Sequence, residues 1–150
     1  MLTNKDRNKV RKHMIDRYSL NDEHNKDRFP KLKTKKERAV AYMEDDGKKI
    51  ASKYGNRYGR NLYREGDQLA DRGSFCWNNP EAYDLIKKVY GKKKADECVE
   101  KDTVWETYKS LVSREYAGMV NDLHSGKDVM LKTSTSKTKK ASTKKTSRWR

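Results

Sequence analysis

The chain has 150 residues, enough for one domain or for a smaller domain with tails, and only 33% of them are hydrophobic while 39% are charged. That balance excludes a large core, and no window approaches the roughly 18 apolar residues of a membrane span, so no transmembrane helix and no membrane partner are expected. The net charge of +15 is segregated: residues 1–38 carry 13 Lys/Arg against 6 Asp/Glu, residues 39–131 carry 16 of each, and residues 132–150 carry 8 Lys/Arg and no acid.

The opening stretch, "MLTNKDRNKVRKHM", lacks the apolar run of a secretory leader, so an intracellular location is expected. Thr3 is an N-cap candidate with Asp6 three residues on, and Val10, Met14, Ile15 and Tyr18 then share one helical face. Lys5, Lys9 and Lys12 form one basic row on this helix, and Arg7 and Arg11 form another. Residues 19–33 read as a polar connection, with Phe29 and Leu32 as anchors on either side of Pro30. "TKKE" at 34–37 has the spacing of a capping box and opens a second helix carrying Ala39, Val40, Tyr42 and Met43. Asp45, Asp46 and Gly47 are expected to end that helix or to weaken it.

Laid on a helix, residues 48–65 resolve into three stripes. Lys49, Lys53, Arg57, Arg60 and Arg64 are basic; Ile50, Tyr54, Tyr58 and Leu62 are apolar. Gly47, Ala51, Gly55 and Gly59 are small, which suits close approach of another backbone and suggests contact with a protein partner or a second copy. The basic stripe suits phosphates, with Tyr63 or Asn61 at its rim, and a plain solvated face is its alternative. A third arrangement breaks the helix at Gly55 and Gly59, leaving a loop suited to unpaired bases.

Farther along, "GSFCWNN" at 73–79 reads as a loop with two buried aromatics. Asn79 as N-cap and Pro80 at the first helical position start a helix that buries Ala82, Leu85, Ile86 and Val89 and stops at Gly91. Residues 92–101 read as a short polar helix or turn around Ala95, Cys98 and Val99. "TVWE" at 103–106 has capping-box spacing before the best core helix, with Val104, Trp105, Tyr108, Leu111, Val112, Met119, Val120 and Leu123 at 3–4 spacing and Gly126 as its stop. Residues 132–150 hold Lys, Ser, Thr, Ala, Arg and one Trp, too little apolar surface to offset ordering, so this tail is expected to be disordered when free. The expected architecture is all-α: a helical domain over 1–131 with four to six helices, of which 1–33 are a basic helix and its connection, and a tail over 132–150.

In composition the tail resembles the Lys/Ser/Thr/Ala tails of linker-histone-like and other chromatin-associated proteins. Its Lys137, Lys139, Lys140, Lys144, Lys145, Arg148 and Arg150 suit counterion replacement on phosphates, and Trp149 adds a ring that can stack on a base or enter a groove. Nothing points to catalysis: His13, His24 and His124 lie in separate segments, and Cys76 and Cys98 show no metal or nucleophile spacing and read as buried thiols. Glu44, Asp45 and Asp46 beside Lys48 and Lys49 raise a metal-dependent nuclease as a remote alternative. The expected function is non-enzymatic nucleic-acid binding with low sequence specificity and no cofactor. DNA is favoured over RNA, in a nucleoid or nucleus or, for a viral protein, the host cytoplasm. A structural component of a virion or ribonucleoprotein assembly is the alternative.

Overall fold

Most of the helix starts have a local reason. A computed structural model describes residues 2–54 and 60–133. Helix α1 (Asn4–Tyr18) is capped by Thr3, whose hydroxyl accepts from the Asp6 amide at 3.1 Å. A single 3-10 turn (Ser19–Asn21) leads into α2 (Asp22–Arg28), a two-turn helix within the stretch expected to be a polar connection. Asp22 and Glu23 in its first turn and Lys26 and Arg28 in its last suit the helix dipole, and buried Asn25 ties it to the Tyr18 carbonyl at 3.0 Å. Phe29 and Leu32 are half-buried, as expected of anchors.

The box at the start of α3 (Lys35–Tyr54) is complete: the Glu37 amide donates to Thr34 Oγ1 at 3.1 Å, and the Thr34 amide donates to Glu37 Oε1 at 3.0 Å. Asp45, Asp46 and Gly47 do not end α3, which runs on to Tyr54. Helix α4 (Arg60–Asp71) is followed by a loop that turns at Gly73, with φ +79°. Helix α5 (Asn79–Tyr90) is capped by Asn78, one residue before the expected cap, and ends at Gly91. Helix α6 (Lys92–Lys101) is joined by a tight turn to α7 (Val104–His124). The expected box at 103–106 does not form. Asp102 is left-handed at φ 56°, and Thr103 sits at φ −120°, ψ 18°, outside the extended region that a capping side chain requires.

The described residues are therefore all-α, with six helices of ten residues or more, one of seven and no strand. The core residues named from periodicity on α1, α5 and α7 are buried or packed against the core. Helix α7 is the axis of the fold: nearly every residue from Leu111 to Val120 is buried, because α1, α3, α4 and α5 all pack on it.

Two glycines set how closely its neighbours approach. A Cβ on Gly47 would lie 2.1 Å from Val120 Cγ1, and one on Gly66 would lie 2.9 Å from the Ser113 Cα. One straight helix through both glycines would separate them by about 28 Å, yet Ser113 and Val120 are only about 10 Å apart along α7. α3 and α4 thus do not share one straight axis. α3 and α4 instead flank α7, with Asp46 and Glu65 both close to buried Tyr116, whose pKa is raised by burial first and by these two carboxylates next. Burial likewise raises the Asp46 pKa.

A buried charge network joins α1 to α7. Arg11, fully buried, donates to Glu115 Oε1 at 2.8 Å, to Asp122 Oδ2 at 2.9 Å and to the Val129 carbonyl at 2.8 Å. Arg7 completes Glu115 through its other oxygen at 3.0 Å. Gly118 leaves room for the Arg11 guanidinium, since a Cβ there would lie 2.8 Å from Nη2.

Candidate nucleic-acid interface

The arginines and lysines of the basic N-terminal segment have separate uses. Arg7 and Arg11 hold Glu115, Arg38 grips Asp22 through two bonds of 2.8 Å, and Arg28 pairs with Asp45 while lying over the Tyr42 ring. Arg17 donates to the Gly73 and Ser74 carbonyls at 3.0 and 3.3 Å. Forked guanidinium groups are thus spent on the fold. Lys5, Lys12, Lys26, Lys31, Lys33, Lys35 and Lys36 are exposed instead. Lys12, Lys26, Lys35 and Lys36 line a groove of about 900 Å³ beside the C-terminal half of α1, and Lys12 also lines a groove of about 300 Å³ between α1 and α5.

The two charge-rich ends of the chain meet. After α7 the backbone returns along α1 in the opposite direction. Arg11 holds the Val129 carbonyl; Asn8 donates to the Leu131 carbonyl at 2.9 Å and accepts from its amide at 2.8 Å; Asn4 donates to the Lys132 carbonyl at 3.0 Å. Asn8 acts here as a peptide group would in a ladder. Lys132, the first residue of the basic tail, is thereby held at the N-terminal end of α1, near exposed Lys5. Lys9 sits one turn farther along, where its ammonium donates to the Lys88 carbonyl on α5 at 2.9 Å.

Of the residues expected to bind, Lys49 is exposed on α3, and Arg60 and Arg64 are exposed one turn apart on α4 with exposed Tyr63 between them. Lys53 lies in α3 but its side chain is outside the described residues, and Arg57 and the tail set Lys137, Lys139, Lys140, Lys144, Lys145, Arg148, Trp149 and Arg150 lie wholly outside them. Because α3 and α4 do not share a straight axis, the stripe from Lys49 to Arg64 is not a single straight face. The small row is occupied at its first member, since Gly47 packs against Val120 of the same chain. Gly55 and Gly59 lie outside the described residues.

Beside Arg17, which lines the α1–α5 groove, the 73–79 loop departs from expectation. Phe75 is buried, but Trp77 is 71% exposed, with the Arg17 guanidinium 4.5 Å from its ring centroid. No sequence period runs through that loop, and its partner Arg17 is 60 positions away, so the arrangement left no trace in local spacing.

On the groove floor His13 Nε2 and the Tyr108 hydroxyl share a hydrogen bond of 2.8 Å. Burial holds the imidazole pKa below its ordinary 6.5, a backbone bond to Phe75 offsets part of this, and Arg17 adds to the lowering. A His with a lowered folded pKa contributes stability that is present above the unfolded value and is lost as pH falls through it. Stability should therefore fall as pH drops below about 6.5, by at most about 1.4 kcal/mol per pH unit from this group. Urea midpoints at about pH 7.5 and 5.5 should differ less in His13→Gln than in the parent. An equal drop in both would assign the acid sensitivity elsewhere.

Among the described residues no group of three or more His, Cys, Asp or Glu could hold a metal ion, and no helix is long and apolar enough to cross a membrane. Asp45 is occupied by Arg28, and Asp46 faces the buried tyrosines. Cys76 and Cys98 are both buried and unbridged. No protein-family model, curated protein or solved structure matches the chain.

Proposed function

We propose that this is a non-enzymatic nucleic-acid-binding protein of low sequence specificity, with duplex DNA as its favoured partner. Its place would be a nucleoid, a nucleus or, for a viral protein, the host cytoplasm. The observation that carries this reading is the convergence of the two basic ends at Asn4, Asn8 and Lys132. The start of the tail, Lys132, is held beside α1, where exposed Lys5 and Lys12 attract phosphates without reading bases. Lys5, Lys9 and Lys12 provide a short row, in which Lys9 is held by Asp6 and the Lys88 carbonyl and Lys12 pairs with exposed Asp16. The tail's 8 Lys/Arg provide most of the counterion release.

A salt series tests it. For the full chain on duplex DNA, log K should fall steeply with log salt. Truncation after residue 131 should reduce the slope by up to about 7, and replacing Lys5, Lys9 and Lys12 by alanine should reduce it by up to about 3. Absence of salt-sensitive binding to duplex DNA, single-stranded DNA and structured RNA would overturn the reading.

A further inference from the structure

We propose that the α1–α5 groove binds unpaired nucleotides, with one base stacked on Trp77; this rests on the nucleic-acid reading above and adds a substrate class to it. Trp77 is the most exposed large apolar side chain among the described residues, and its setting is built rather than incidental. Arg17 lies against the indole at 4.5 Å and is itself fixed by the Gly73 and Ser74 carbonyls, with Glu81 at 3.9 Å. The backbone at Gly73 approaches the ring closely, since a Cβ there would lie 3.2 Å from Trp77 Cδ1. The ring is therefore held in place before any ligand arrives, and its exposed surface offers a flat platform for stacking.

Trp77 does not line the groove itself but adjoins it through Arg17, and from there the groove leads toward the N-terminal end of α1. α1 and α5 run antiparallel, with Arg17 beside Glu81 at one end and Lys9 beside Lys88 at the other. Arg17 and Lys9 are about 12 Å apart along α1. At about 3.4 Å per stacked nucleotide that length spans three to four nucleotides. Lys9, Lys12 and Lys88 line it together with Asp16, Glu81 and Asp84.

The carboxylates decide the class of ligand. Asp16 is paired with Lys12 and Glu81 lies near Arg17, yet carboxylate oxygens accept further hydrogen bonds from base N–H groups, and the ring N–H of thymine or guanine is free only when the base is unpaired. A single strand can place its phosphates on the lysines and turn its base edges inward. A duplex keeps its bases stacked on one another and gains nothing from Trp77.

The test compares the full chain with Trp77→Ala and Trp77→Phe, using a short oligodeoxythymidylate and a duplex hairpin. Trp77→Ala should weaken strand binding about 5- to 150-fold, leave the salt slope unchanged and leave hairpin binding intact. Trp77→Phe should recover most of the loss, and the emission quench on strand binding should shrink in both variants, with Trp105 and Trp149 leaving only a remainder. Strand binding undiminished in Trp77→Ala, with salt-dependent hairpin binding still present, overturns this inference alone. A parent chain that binds neither probe overturns it together with the nucleic-acid reading.

Discussion

Replacing Arg11 by alanine should destabilise the protein by about 3–5 kcal/mol, read as a lowered urea midpoint. The side chain is fully buried and serves three acceptors: Glu115, Asp122 and the Val129 carbonyl. Removing it leaves Glu115, 1% exposed, held only by the partly exposed Arg7. An uncompensated buried carboxylate and an orphaned carbonyl account for the size of the effect. Against a typical total of about 5–15 kcal/mol, the variant stands at the edge of folding. Pairing Arg11→Met with Glu115→Gln should cost less than the two single changes added together, because the second substitution removes the charge that the first strands. A single-variant loss below about 1 kcal/mol would show that Glu115 finds water or another partner.

Gly47→Ala carries the second large effect, and its sign is diagnostic. In an unhindered helix interior this change stabilises by about 1 kcal/mol. Here the new methyl would lie 2.1 Å from Val120 Cγ1 and 2.8 Å from Cγ2, inside a contact with no slack. Overpacking of this kind costs about 1–3 kcal/mol, so net destabilisation is expected. In a Val120→Ala background the same change should be neutral or stabilising. If Gly47→Ala stabilises the parent chain, α3 does not approach α7 as closely as described.

Most of the fold was legible in the sequence because periodicity and caps are local signals. The apolar faces of α1, α5 and α7, the box at Thr34 and the stop at Gly91 all follow from neighbours within a turn or two. What was not legible depends on contacts between distant segments. Arg7 and Arg11 read only as a basic row on α1, because their partner Glu115 is over a hundred positions away. Glu115 itself breaks the apolar pattern of α7, and only α1 packing against it explains why.

The 47–66 stretch shows a different limit. Helical stripes can be drawn on any window, yet only the contacts of Gly47 and Gly66 with α7 reveal that the axis does not continue straight. The candidate interface was legible as two basic ends. Their meeting was not, because it depends on Asn4 and Asn8 holding a backbone segment more than 120 residues away.

That clasp also determines how the molecule bears mechanical load. A pull on the chain beyond Lys132, directed away from α1, reaches the fold one attachment at a time. The Asn4 bond breaks first, the two Asn8 bonds next, and the Arg11 bond to Val129 last. A pull along α1 stresses all four together. The same tail is therefore a weak tether when peeled and a strong one when sheared, and its final attachment is the side chain that also holds α1 to α7.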